Sequence, residues 1–157
     1  MSEQAQRLRS RAGYSLIELL TAVAIFGVLA AAGLPHIDTS RQDIQSATKQ
    51  VIADYRWART RAITSGVHFN VTWTDANAYQ VQRMKQVGTT WSTDTVVKQV
   101  TLPAAISRYA AQPNVEFNTR GMMVSPNYNM FEMLWDGKFS TYRMVSLWPS
   151  GQVNAYE

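Results

Sequence analysis

The chain reads as an α+β fold in which a long N-terminal helix packs on a mostly antiparallel β-sheet domain. Three observations predict it. The run from Tyr14 to Leu34 is apolar and holds one charged side chain, the carboxylate of Glu18. Beyond Pro35 a stripe of Ile44, Ala47, Val51, Tyr55, Ala58 and Ala62 recurs at spacings of three and four, the signature of a half-buried helix. After Gly66 the period changes to two, with Val67, Phe69, Val71 and Trp73 alternating with His68, Asn70 and Thr72, which marks a strand with one buried face.

The first helix begins behind three basic residues, Arg7, Arg9 and Arg11. At about 1.5 Å per residue, Tyr14–Leu34 matches a hydrocarbon core of roughly 30 Å, so this helix is partly transmembrane. The arginines predict a cytoplasmic N-terminus and an exported remainder. Three readings fit so far. One is a secretory signal peptide with Ala30-Ala31-Ala32 as its cleavage site. Another is a plain anchor. The last is a leader cut on the cytoplasmic side, so that the apolar helix is kept. Glu18 separates them, because a charge in mid-membrane costs about 2.5–3.5 kcal/mol and usually marks function. A signal peptide or passive anchor has no use for it. A buried carboxylate calls for a partner cation.

Pro35 is expected to bend the helix rather than end it, since the apolar stripe resumes at once. One helix from Leu16 to about Thr64 follows, stopped at Thr64-Ser65-Gly66. Arg59 and Arg61 fall near the negative end of its dipole. Strands are then predicted at Val67–Trp73, Tyr79–Arg83, Val96–Leu102 and Val115–Phe117, with a closing hairpin of Thr141–Trp148 and Gln152–Tyr156 around Pro149-Ser150-Gly151. Asp75-Ala76-Asn77 supplies the first turn.

Composition excludes several classes. The 157 residues include no cysteine, which removes disulfides, thiol catalysis and Cys-based metal sites. His36 and His68 are the only histidines, and neither has a ligand cluster in sequence. No nucleotide, hydrolase or zinc-protease motif is present. The expectation is therefore no enzyme, no cofactor, no metal. Arg56, Trp57, Arg59 and Arg61 form a small basic-aromatic cluster that could contact nucleic acid; a solvated helix end with Trp57 packed on the sheet is the plainer reading. Met122–Phe139 is rich in Met and aromatic residues, suited either to adaptable contacts or to a hairpin folded on the core.

Gly13-Tyr14-Ser15-Leu16-Ile17-Glu18 resembles the signal of type IV pilins and type II secretion pseudopilins: Gly, an aromatic residue, Ser or Thr, Leu, an apolar residue and Glu. Tyr14 stands where Phe is usual. Ala58-Arg59-Thr60-Arg61-Ala62-Ile63 leading into Val67-His68-Phe69, then Val115–Gly121 and Ser150-Gly151-Gln152-Val153, narrow the resemblance to minor pilins and pseudopilins of GspH/FimT type. It implies a leader at 1–13, a transmembrane and assembly helix at 14–35 and a periplasmic pilin-like domain at 36–157, with the helix continuing over 36–64 and the sheet over 67–157. It implies cleavage by a prepilin peptidase between Gly13 and Tyr14 and N-methylation of Tyr14. Glu18 would pair with the Tyr14 amine of a neighbouring subunit, and Gly27 and Pro35 match positions where pilin helices loosen. Other pilin or pseudopilin subunits, the peptidase, the inner-membrane assembly platform and the lipid bilayer are the implied partners. The implied location is the bacterial inner membrane, single-pass, then the pilus or pseudopilus. Some relatives of this type bind DNA through a basic tail. Here no Lys or Arg follows Arg143, so nucleic acid is not an expected partner. A DNA-uptake pilin and a secreted soluble protein remain as alternatives.

Overall fold

The computed structural model describes residues 15–33, 40–109, 113–137 and 141–156. Gly13, Tyr14, Pro35 and His36 lie outside them, and with them the expected cleavage point and helix bend. The expected long helix is described as two pieces, α1 (Leu16–Gly33) and α2 (Ser40–Ser65). They fall in separate compact units, Met1–Asp38 and Thr39–Glu157, each described by itself.

α2 is the spine of the second unit. Asp43 in its first turn complements the positive end of the helix dipole. Its predicted stripe is the buried one: Ile44, Ala47, Val51, Tyr55, Ala58 and Ala62 all lie in the core. The two alanines near the C-terminal end let the helix backbone approach the sheets closely. Thr48, also buried, donates its hydroxyl to the Ile44 carbonyl at 2.7 Å and so brings no unsatisfied group inside. The helix ends at Gly66, whose positive φ of 65° lets its N–H reach the Ala62 carbonyl at 3.1 Å.

The strands form two antiparallel sheets rather than one. Sheet A contains β1 (Phe69–Asp75), β2 (Ala78–Val87), β3 (Thr90–Thr101), β5 (Val115–Phe117) and β6 (Met123–Ser125), in the order β3-β2-β1-β5-β6. Sheet B contains β4 (Ser107–Arg108), β7 (Met130–Trp135), β8 (Tyr142–Leu147) and β9 (Val153–Tyr156), in the order β4-β7-β8-β9. α2 packs against β1 and β5 of one sheet and β7, β8 and β9 of the other.

The predicted third strand was too short at its N-terminal end. β3 starts at Thr90 because Val87 and Thr90 close a tight turn, and Trp91–Thr95 then pairs along β2. That half of β3 is mostly exposed on both faces, so no hydrophobic alternation announces it. The Met-rich segment contributes β6 to sheet A and β7 to sheet B, and β7 sends alternate side chains to the core and outward. Every buried apolar side chain among the described residues belongs to the second unit, from Ile44 to Val153. That unit therefore carries its own core.

Candidate functional site

The first candidate site is α1. Ser15 opens it, its carbonyl accepting from the Glu18 and Leu19 N–H groups at 2.9 and 3.2 Å. The helix is apolar on every side, and the side chains from Ser15 to Ala30 are exposed. Such a surface needs an apolar environment or a partner. The Thr21 hydroxyl is folded back onto the Ile17 and Glu18 carbonyls, at 2.9 Å each. Thr21 thus presents no free donor to a surrounding apolar phase, and Glu18 is left as the single ionisable group. It stands in the first turn, where the helix dipole favours a carboxylate. The helix runs unbroken through Gly27, and a Cβ built there would meet nothing within 4 Å, so packing inside the chain does not require glycine.

α1 comprises 18 residues, about 27 Å at 1.5 Å per residue, against the roughly 30 Å of a hydrocarbon core. Among the described residues no helix is long and apolar enough to cross a membrane. Tyr14 and Leu34, the ends of the predicted span, lie outside them.

The second candidate, the basic-aromatic cluster, is used inside the fold. The Arg56 guanidinium donates to the Val153 carbonyl at 2.8 and 3.2 Å. Arg59 donates to the Gly121 carbonyl at 3.0 Å and to the Ser150 carbonyl at 3.3 Å. Arg61 lies over the Trp57 ring, 5.4 Å from its centroid, and Trp57 meets Phe69 edge to face. The last turns of α2 are thereby tied to the loop before β6 and to the β8–β9 turn. Arg59→Ala should cost about 1.5–3 kcal/mol, the usual worth of hydrogen bonds from a charged donor, read as a lower urea midpoint.

That junction is tight. Gly151, at φ 78°, sits so close to the Gly121 carbonyl that a Cβ would lie 1.8 Å from its oxygen. The Met123 N–H also donates to the Pro149 carbonyl at 2.9 Å, joining β6 to the β8–β9 turn.

His68 does not face outward as a free strand residue. Its ring stacks on Trp91 with centroids 3.9 Å apart, and Nδ1 meets Glu116 Oε1 at 2.5 Å. The early start of β3 brings Trp91 over it. Among the described residues no group of three or more His, Cys, Asp or Glu could hold a metal ion.

A buried polar centre went unread in the sequence. Glu132, fully buried on β7, accepts from Arg108 of β4 at 2.9 Å. The Arg108 guanidinium lies 5.0 Å from the Trp73 ring centroid, and the Trp73 indole donates to the Tyr55 hydroxyl at 3.3 Å. Burial pushes the Glu132 carboxyl up, with Arg108 pulling it down. Burial, then the charge of Glu132, raises Tyr55. Beside it, Asp54 accepts from Tyr79 at 2.7 Å, from Gln50 at 2.9 Å and from Lys98. Burial and the hydrogen bond to Asp54 raise Tyr79. Both tyrosines therefore remain neutral, Tyr55 accepting from Trp73 of β1 and Tyr79 of β2 donating to Asp54, and both fix α2 against sheet A. The available signal was phase: Glu132 shares a strand face with Met130 and Leu134, both core residues.

Comparison with known proteins bears on both candidates. Residues 8–34 match the prokaryotic N-terminal methylation motif, and residues 47–151 match the type II transport protein GspH. The fold is similar to the type IV minor pilin FimU of Pseudomonas aeruginosa, with a TM-score of 0.61 and 16% identity over 76% of this chain and 92% of that one. It is also similar to the minor pseudopilin EpsH of the Vibrio cholerae type 2 secretion system, with a TM-score of 0.56 and 12% identity over 73% and 96%. At these identities the likeness shows the fold. No curated protein sequence matches.

Proposed function

Because this chain belongs to the family of the type II transport protein GspH and carries the N-terminal methylation motif, we propose that it acts without catalysis, as a subunit that α1 inserts into a pilus or pseudopilus. The minor pilin and pseudopilin class follows from the family. The single observation carrying the mechanism is an exposed helix, apolar on every side, whose lone ionisable group is Glu18. A prepilin peptidase cuts between Gly13 and Tyr14 and methylates the new amine. The helix stays in the inner membrane with the domain in the periplasm, until the assembly platform draws it into a filament. There, Glu18 leaves lipid for a site where the Tyr14 amine of an adjacent subunit compensates it. Apolar side chains, with the notch at Gly27, supply the remaining contacts.

The test combines chemistry and assembly. Mass spectrometry of the mature chain should find a methylated Tyr14 at its start; a start near Gly33 would mean an ordinary signal peptide. Glu18→Leu should still be processed and remain in the membrane fraction, yet its recovery in sheared filaments should fall at least tenfold. Wild-type recovery of that variant would remove Glu18 from the mechanism. The DNA-binding alternative gains no support from Arg56 and Arg59, whose donors are directed at backbone carbonyls.

A further inference from the structure

Side chains along a strand alternate between faces, and sheet B uses the two faces differently. Met130, Glu132, Leu134, Val145 and Val153 point into the core. Outward stand Phe131, Met133 and Trp135 of β7, with Met144 and Tyr142 of β8 opposite Met133 and Trp135, and Tyr156 of β9 opposite Met144. Tyr109 joins them just after β4, its N–H bonded to the Met133 carbonyl. Tyr109, Phe131, Tyr142 and Tyr156 are 48–60% exposed. Aromatic and Met side chains at this density characterise protein interfaces.

Three features choose the occupant. The first is charge. None of the outward positions on these four strands carries Lys, Arg, Asp or Glu, whereas residues 39–157 hold 12 Lys and Arg against 8 Asp and Glu. A polyanion finds no cation on this face, while two copies meet there without like-charge repulsion, which the basic excess imposes elsewhere. The second is ring orientation. Phe131 and Tyr156 stand at 80° to each other with centroids 6.3 Å apart, and Tyr109 and Trp135 at 83° and 6.1 Å. Perpendicular rings make a ridged surface, not the flat platform on which successive bases or sugar rings stack. The third is area. The outward side chains offer roughly 500 Å² of apolar surface. A standard interface takes about 800 Å² per partner, of which about 60% is apolar, so the supply meets what a specific pair needs.

We propose that the outward face of sheet B pairs with the same face of a second copy of this chain. The pairing uses the domain alone and does not depend on the filament role of α1.

Residues 39–157 carry their own core and suit the test. Sedimentation velocity should show the mass rising with concentration toward two copies. Phe131→Glu with Tyr156→Glu should raise the dimer Kd at least tenfold while the far-UV spectrum and Tm stay unchanged. Val97→Glu, exposed on β3 of the other sheet, should leave the dimer intact. A single-copy mass at every concentration up to about 0.5 mM would overturn the proposal, as would a dimer indifferent to the two glutamates. A monomer that instead sediments with phosphatidylcholine vesicles would assign the face to lipid and equally overturn it.

Discussion

Glu132→Leu should lower the unfolding free energy of the domain by about 3–5 kcal/mol, the cost of stranding one half of a buried ion pair. The reason is Arg108. Its side chain is nearly as buried as the carboxylate it meets, and without Glu132 its only described charge-stabilising contact is the face of Trp73. The measurement is the urea midpoint at unchanged m. Glu132→Leu combined with Arg108→Met should recover most of the loss, because two apolar side chains in this cavity need no counter-charge. If the double variant is no better than the single one, the pair is not the source.

The same group sets a pH dependence. Burial raises the Glu132 carboxyl above its ordinary value of 4.5, so the folded chain holds that proton more tightly than the unfolded chain does. Its contribution is fully present below pH 4.5 and fades as pH rises through the folded value. Wild-type stability should therefore carry a component that declines upward from that pH. Glu132→Gln should lack it.

Gly151→Ala is the second large effect, with an expected loss of about 3–5 kcal/mol from a strained backbone and a clash together. Gly88 separates the two contributions. It also has a positive φ, at 62°, but a Cβ there meets nothing within 4 Å, so Gly88→Ala should cost only about 1–2 kcal/mol. Equal losses at the two positions would show that the approach to the Gly121 carbonyl contributes nothing. Side chains at 151 would also push aside Arg59, whose Nε lies 2.8 Å from the same point.

How much of this was legible depended on periodicity. The α2 stripe could be read residue by residue because one helix face meets two sheets and the other meets water. Val115–Phe117 and the closing hairpin were visible for the same reason, bounded by Gly121 and by Pro149-Ser150-Gly151. The first half of β3 was not, because Thr90–Thr95 buries neither face. β4 was invisible because two residues, Ser107 and Arg108, have no period. The division into two sheets is a property of long-range pairing, which local patterns do not encode. The arginines of α2 illustrate the limit of composition: as a cluster they suggest an anion, yet Arg56 and Arg59 point at carbonyls that only the folded chain brings near. Glu18, by contrast, was legible as an exception to its surroundings, and α1 leaves it the one ionisable group on an apolar rod.

The arginine ties at the end of α2 give the domain a mechanical character. A subunit moved along a filament axis is loaded through its helix, and a helix resting on one sheet edge could be peeled from it one contact at a time. α2 instead lies across both sheets, and Arg56 and Arg59 rivet its last turns to the loop before β6, the β8–β9 turn and the first residue of β9. A pull entering at Ser40 must therefore shear many contacts at once, and the load leaves the helix through both sheets together.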